Sequence, residues 1–273
     1  MAGHVSLSDP PGGACCSVSW PANGQTQYAI AQQLKIASHV FVCVTGDGSV
    51  LLDLKSDKYL GLGRDETEWV SSAVDAWPKP IWESSGKESP LDESAGQQLL
   101  QSLMDAGVLT GEATGNVTTV RRTVVDMRGD WISIGDEMEV ESRVAVGHAV
   151  NFLKAFAEAR LSLALRPFAG TVESARLRKL AGKRDFADCH VLQLAGIVDV
   201  FRRLRPFVFA AEGRCLLHAL TLVNFLAKYD FYPEWVIGVS TQPWGAHSWV
   251  QWDNYLLDTN PEKVCQFTPI LVV

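Results

Sequence analysis

The chain has 273 residues, 47% of them hydrophobic and 20% charged, and carries a net charge of −7. That balance excludes a disordered chain and leaves enough apolar surface for one large core or two smaller ones. There is no run of about 18 apolar residues to span a membrane, and no basic segment followed by an apolar one near the start, so the protein reads as cytoplasmic.

Residues 1–38 contain Pro10-Pro11, Gly12-Gly13 and Cys15-Cys16 with little periodicity, and read as a loose extension or as translation from an upstream start site. From His39 the pattern changes to H-V-F-V-C-V-T, a G-D-G-S turn, V-L-L-D-L and D-K-Y-L-G-L, which predicts three short strands. Helical signals follow at Glu66 to Ala76 and at Asp92 to Asp105, the second ending at Gly107. Three strands followed by two helices predict a small winged-helix-like module over residues 39–112. Residues 113–139, with G-N-V-T-T-V-R-R-T-V-V, read as a polar, β-branched connector.

A long helix is expected to start near Glu141, with Val146, Ala149, Leu153, Phe156 and Ala157 recurring on one face. Leu194, Ile197, Val198, Phe201 and Leu204 predict a later helix that Pro206 must end. Between residues 160 and 205 stand ten Lys or Arg against four Asp or Glu, either a solvated helical face or a surface for an acidic peptide or partner enzyme. Aromatic residues are too sparse among them to argue for nucleic acid. Helices first and strands last give residues 140–273 an α+β order.

The chemistry-bearing residues lie in this last part. Cys215 opens the apolar run C-L-L-H-A-L-T-L-V-N-F-L-A-K-Y, so its sulfur is expected at a helix N-terminus, where unpaired N–H groups and the helix dipole favour an anion. A lone cysteine on an apolar helix is ordinarily a small core residue. Here A-H-S-W-V-Q-W-D-N-Y-L-L-D-T-N follows, two β-prone runs joined at Asp253-Asn254. With those two as the turn, Trp252 faces Tyr255, Val250 faces Leu257 and Trp249 faces Asp258, which puts His247 and Asp258 on one face as diagonal neighbours. Asp253 falls in the turn itself. A nucleophile, a base and an orienting carboxylate are thus expected in Cys215, His247 and Asp258, with the backbone N–H of Cys215 as an oxyanion donor. His218, one turn beyond Cys215, is expected to line the core or cleft.

The six cysteines, at positions 15, 16, 43, 189, 215 and 265, include no C-x-x-C pair. Neither Cys189-His190 nor Cys215 with His218 has a zinc spacing, and no phosphate-binding G-x-x-x-x-G-K-[ST] loop is present. No metal or cofactor is expected.

The segments G-R-C-L-L-H-A-L, W-V-I-G-V-S-T-Q-P-W-G-A-H-S-W-V and Y-L-L-D resemble the lasso peptide biosynthesis B proteins, transglutaminase-like cysteine proteases with a papain-like fold, over about residues 140–273. Ser248 and Gln242 stand where that pattern has Ala and an aromatic residue. The resemblance implies removal of the leader from a lasso-peptide precursor, with Cys215, His247 and Asp258 as nucleophile, base and orienter. It also implies a partner, an asparagine-synthetase-like cyclase that closes the ring on the freed core. Residues 39–112, through L-D-L and D-K-Y-L-G-L, resemble the leader-recognition domain related to pyrroloquinoline-quinone biosynthesis chaperones. There the leader adds a strand to a sheet edge, a position offered here by Lys58 to Leu62, beside the Gln98 to Met104 helix. Lys58, Tyr59, Leu60, Leu62, Leu99 and Leu103 are the candidate leader contacts; the alternative is that Tyr59 and Leu62 pack into the module's own core. Two other activities remain open from the residues alone: an acyltransferase using the same thioester, and a leader-binding carrier without activity.

Overall fold

The computed structural model describes residues 34–82, 91–111, 131–134, 140, 142–182, 190–209 and 214–273. Most of the extension and of the connector therefore lies outside the described residues.

Three antiparallel strands, β2 (Val40–Thr45), β3 (Gly48–Asp53) and β4 (Lys58–Leu62), pair in that order. Helices α1 (Arg64–Ala73) and α2 (Glu93–Asp105) follow, as the sequence predicts. The first helix starts where Glu66 reaches back to the Gly63 N–H at 2.8 Å; the second starts at Asp92, whose carboxylate accepts from the Ala95 N–H at 2.7 Å. A two-residue strand β1 (Lys35–Ile36) pairs with β5 (Leu109–Thr110), and Leu34 and Ala37 are buried with them. The ordered module thus begins before residue 39, because its closing strand needs a partner.

Alternation gives this small sheet two different faces. Leu51 and Leu62 pack with Val70, Val74 and Leu103 into the module's own core. Cys43, Val50, Leu52 and Leu54, from the opposite face or just beyond it, join the large core of the rest of the chain. Thr241 adds a hydrogen bond to Asp47 at 2.7 Å across that boundary.

The second sheet runs in the order β10 (Thr268–Val272), β7 (Glu234–Thr241), β8 (Trp244–Trp252), β9 (Tyr255–Leu257), β6 (Ile132–Ile134). β6 lies within the segment read as a connector and pairs parallel to β9; three residues without a local partner carry no hairpin signal. Trp235, Ile237, Val239, Val250 and Leu257 face the helices, whereas Val236, Trp249 and Leu256 face a smaller cluster with Val264.

Against the first face pack α3 (Val146–Leu165), α4 (Phe168–Ala181), α5 (His190–Leu204) and α6 (Cys215–Ala227). Leu194, Val198 and Phe201 of α5 are buried, and the helix ends at Leu204 before a 3₁₀ turn containing Pro206, as predicted. The expected face of α3 is corrected. Phe152, Ala155 and Ala159 are buried, while Val146 is 83% and Leu153 55% exposed. Phe152 fills the core while the small side chains of Ala155 and Ala159 let α3 pack against α6. Much of the basic stretch is paired: Arg202 and Arg205 with Asp258, Arg203 with Asp199, and Lys179 with Glu234. No helix among the described residues is long and apolar enough to cross a membrane.

Candidate active site

Cys215 is the first residue of α6, as its context predicts. Arg214 precedes it with no side-chain cap, and the first intrahelical bond closes from the His218 N–H to the Arg214 carbonyl at 2.9 Å. Among the described residues no side chain caps the N–H groups of the first turn, which can therefore receive an incoming oxygen anion. From Ala219 to Leu226 every residue of the helix is buried, which fixes the helix and leaves its first turn, and Ala227 at its end, partly exposed.

A cavity of about 300 Å³ opens there, bordered by Cys215, Leu216, Ile237, Ala246, His247 and Ser248 from this half of the chain. Ser248, the departure from Ala in the resemblance, accepts a hydrogen bond from the Trp235 indole at 2.7 Å and so satisfies a buried N–H.

The hairpin has the predicted register: Trp252 pairs with Tyr255 and Val250 with Leu257, with Asp253 in the turn at φ 48. His247 pairs opposite Gly238 and lies on the face turned away from α6. Its ring is 5.2 Å from Phe267 and stacks on Trp249 at 6.1 Å. Gly238 is required here, because a Cβ would stand 2.7 Å from the Trp249 ring. Among the described residues β9 pairs only with positions 250 to 252 of β8, so the strand edge is open at His247. This lets a residue whose ring rests on the outer face also border the cavity.

Asp258 departs from the expected geometry. β9 ends at Leu257 and Asp258 turns left-handed, at φ 59, so strand parity stops one residue short of it. Its carboxylate, 2% exposed, accepts from Arg205 Nη1 at 2.7 and 2.8 Å and lies 3.5 Å from Arg202 Nε. The imidazole it meets is His218, with Nε2 3.0 Å from Oδ2, close enough for charge contact but not aligned as a hydrogen bond. His247 is not among its partners. The structure thus brings Cys215 and His247 to one cavity and Asp258 to His218, one turn along the same helix. His218 was legible as a candidate from its i,i+3 spacing to Cys215. Arg205, far from Asp258 in sequence, had no such signal.

The candidate leader contacts divide. Leu62 and Leu103 are buried in the module's core, and Leu99 packs against it. Lys58, Tyr59 and Leu60 are all exposed; Lys58 and Leu60 share the face of β4 that carries Leu62, and Tyr59 lies on the other face, where it borders the cavity of Cys215.

Burial, and then electrostatic interaction with Lys263 and His218, lower the pKa of His247 from 6.5 to about 4. The unfolded chain therefore binds a proton that the folded one refuses between those values. Stability from this group is complete above pH 6.5 and lost as pH falls toward 4. Urea unfolding is expected to show about 2 kcal/mol less stability at pH 5 than at pH 7 from this residue. A His247→Gln chain that loses as much as the wild type between those pH values removes His247 as the cause.

Residues 155–272 match the model of the transglutaminase-like superfamily and form a domain of that class. No curated protein and no solved structure matches the chain. The class is compatible with cysteine protease or acyl-transfer chemistry on a thioester.

Proposed function

We propose that the protein is a cysteine endopeptidase of the lasso peptide B kind, which holds a precursor by its leader and cleaves the leader–core junction. The observation that carries this is Cys215 at the uncapped start of α6, sharing a cavity with His247. The thiol attacks the scissile carbonyl, and the backbone N–H groups at the helix start receive the oxyanion. Loss of the core amine leaves the leader acyl group as a thioester, which water then hydrolyses to a free carboxylate with return of a proton to the thiol. His247, neutral at pH 7, takes the thiol proton and returns it to the leaving amine. No hydrogen bond joins the two side chains, which meet only as lining of the same cavity. Asp258 acts on the site through His218 and Arg205.

The winged-helix-like module captures the leader by strand addition to the edge of β4, which no strand among the described residues occupies, with Lys58 and Leu60 as contacts. The freed core amine then passes to an asparagine-synthetase-like cyclase. Tethering raises the local concentration of the junction, so little affinity is needed at the thiol itself.

The test is mass spectrometry of a precursor peptide incubated with the protein. Leader and core whose masses together exceed the precursor by one water support hydrolysis. An amine-conjugated leader would make the protein an acyltransferase. An intact precursor bound through its leader would make it a carrier.

A further inference from the structure

The catalytic cavity is not built by the transglutaminase-like domain alone. Asp57 and Tyr59, from the turn into β4 and from β4 itself, line it together with Leu163, Arg166 and Phe168. Tyr59 stands opposite Leu52 in the β3–β4 register, and Leu52 is buried in the shared core, so alternation directs the phenol ring at the cavity. The ring is held edge-on against Trp244 of β8 at 5.8 Å. Its phenol pKa is raised, chiefly by burial and next by Asp57, Cys215 and Cys43. The next residue, Leu60, turns to the opposite face and is 41% exposed. One face of the strand therefore borders the chamber of the nucleophile, and the other is the face that carries Leu62 into the module's own core.

We propose that this N-terminal sheet forms one wall of the catalytic cavity, and that Tyr59 is a specificity-determining residue packing on an uncharged substrate side chain beside the scissile bond. The inference rests on the peptidase reading above. The chemistry of the wall selects the side chain: Tyr59, Leu163, Phe168 and Leu216 form an apolar body, and Asp57 and Arg166, both exposed, bring opposite charges. Either charge on a substrate side chain would be attracted by one and repelled by the other, while losing water on entering the apolar part. A peptide paired with β4 and leaving it at the Asp57 end enters the cavity directly.

The experiment compares wild type, Tyr59→Ala and Tyr59→Phe on the whole precursor and on a short junction peptide without leader. Tyr59→Ala is expected to lower kcat/KM about tenfold on both substrates, mainly through KM, and Tyr59→Phe to restore most of it. In junction peptides varied residue by residue, one position should reject Glu and Lys in wild type and tolerate them in Tyr59→Ala. Protection of Cys215 from iodoacetamide by a non-cleavable junction peptide gives the same comparison without turnover, with half-protection expected at about tenfold higher peptide in Tyr59→Ala. A loss confined to the leader-bearing substrate, or no loss at all with an active wild type, overturns the wall and leaves the peptidase reading intact. A wild type that neither cleaves nor is protected overturns both.

Discussion

Replacing Cys215 by Ala is expected to reduce precursor cleavage by at least about 10⁴-fold, while leader binding and the folded state persist. The thiol is partly exposed at the first turn of α6, and the buried residues that hold the helix start only at Ala219, so removing one sulfur opens little cavity. Cys215→Ser should be almost as inactive. His247, with its proton affinity reduced to about pH 4, is too weak a base to activate a hydroxyl. The same property moves the acid limb of kcat/KM in the wild type below the ordinary imidazole range, toward pH 4. Discontinuous assays across pH 4 to 8 check the limb. Cleavage by Cys215→Ala at the wild-type rate would remove the thioester from the mechanism.

The second large effect is expected at Asp258. Asn in its place tolerates the left-handed backbone and has nearly the same shape, but offers no charge to Arg205 and His218. Asp258→Asn should lower stability by about 1–2 kcal/mol, discounted because Arg205 remains 40% exposed and can rehydrate. Asp258→Ala adds roughly 1 kcal/mol more, since Ala pays the full penalty of the left-handed turn. Both substitutions loosen His218 beside the nucleophile, and kcat/KM should fall by about 10²-fold or more. Thermal melts and steady-state rates on one preparation separate the two effects. Asp258→Asn with wild-type rates would confine this cluster to a structural role.

These effects also mark how far local sequence information reached. The Asp253-Asn254 turn was readable because a two-residue hairpin loop sets its own register, and the pairing of Val250 with Leu257 follows from it. Asp258 escapes this reading because parity carries only as long as the strand continues, and the left-handed turn that ends it serves a carboxylate whose partners come from α5, the turn after it and α6. The α3 stripe failed for a related reason. Helical period gives the spacing of a buried face but not its phase when alanines compete with larger aliphatics. Cys215 was legible because a helix start is a local event. The two faces of β4 were only half legible: alternation is in the sequence, but the half of the protein that meets each face is not.

The burial of Val50 and Leu52 among residues of the transglutaminase-like domain has a practical consequence for taking the protein apart. A chain severed between the halves would present an apolar sheet face to water on one fragment and an unroofed core on the other. The halves should therefore not complement each other when expressed separately, and calorimetry of the intact chain should give one endotherm with equal calorimetric and van't Hoff enthalpies. Two resolved endotherms would show that capture and cleavage reside in units that melt independently.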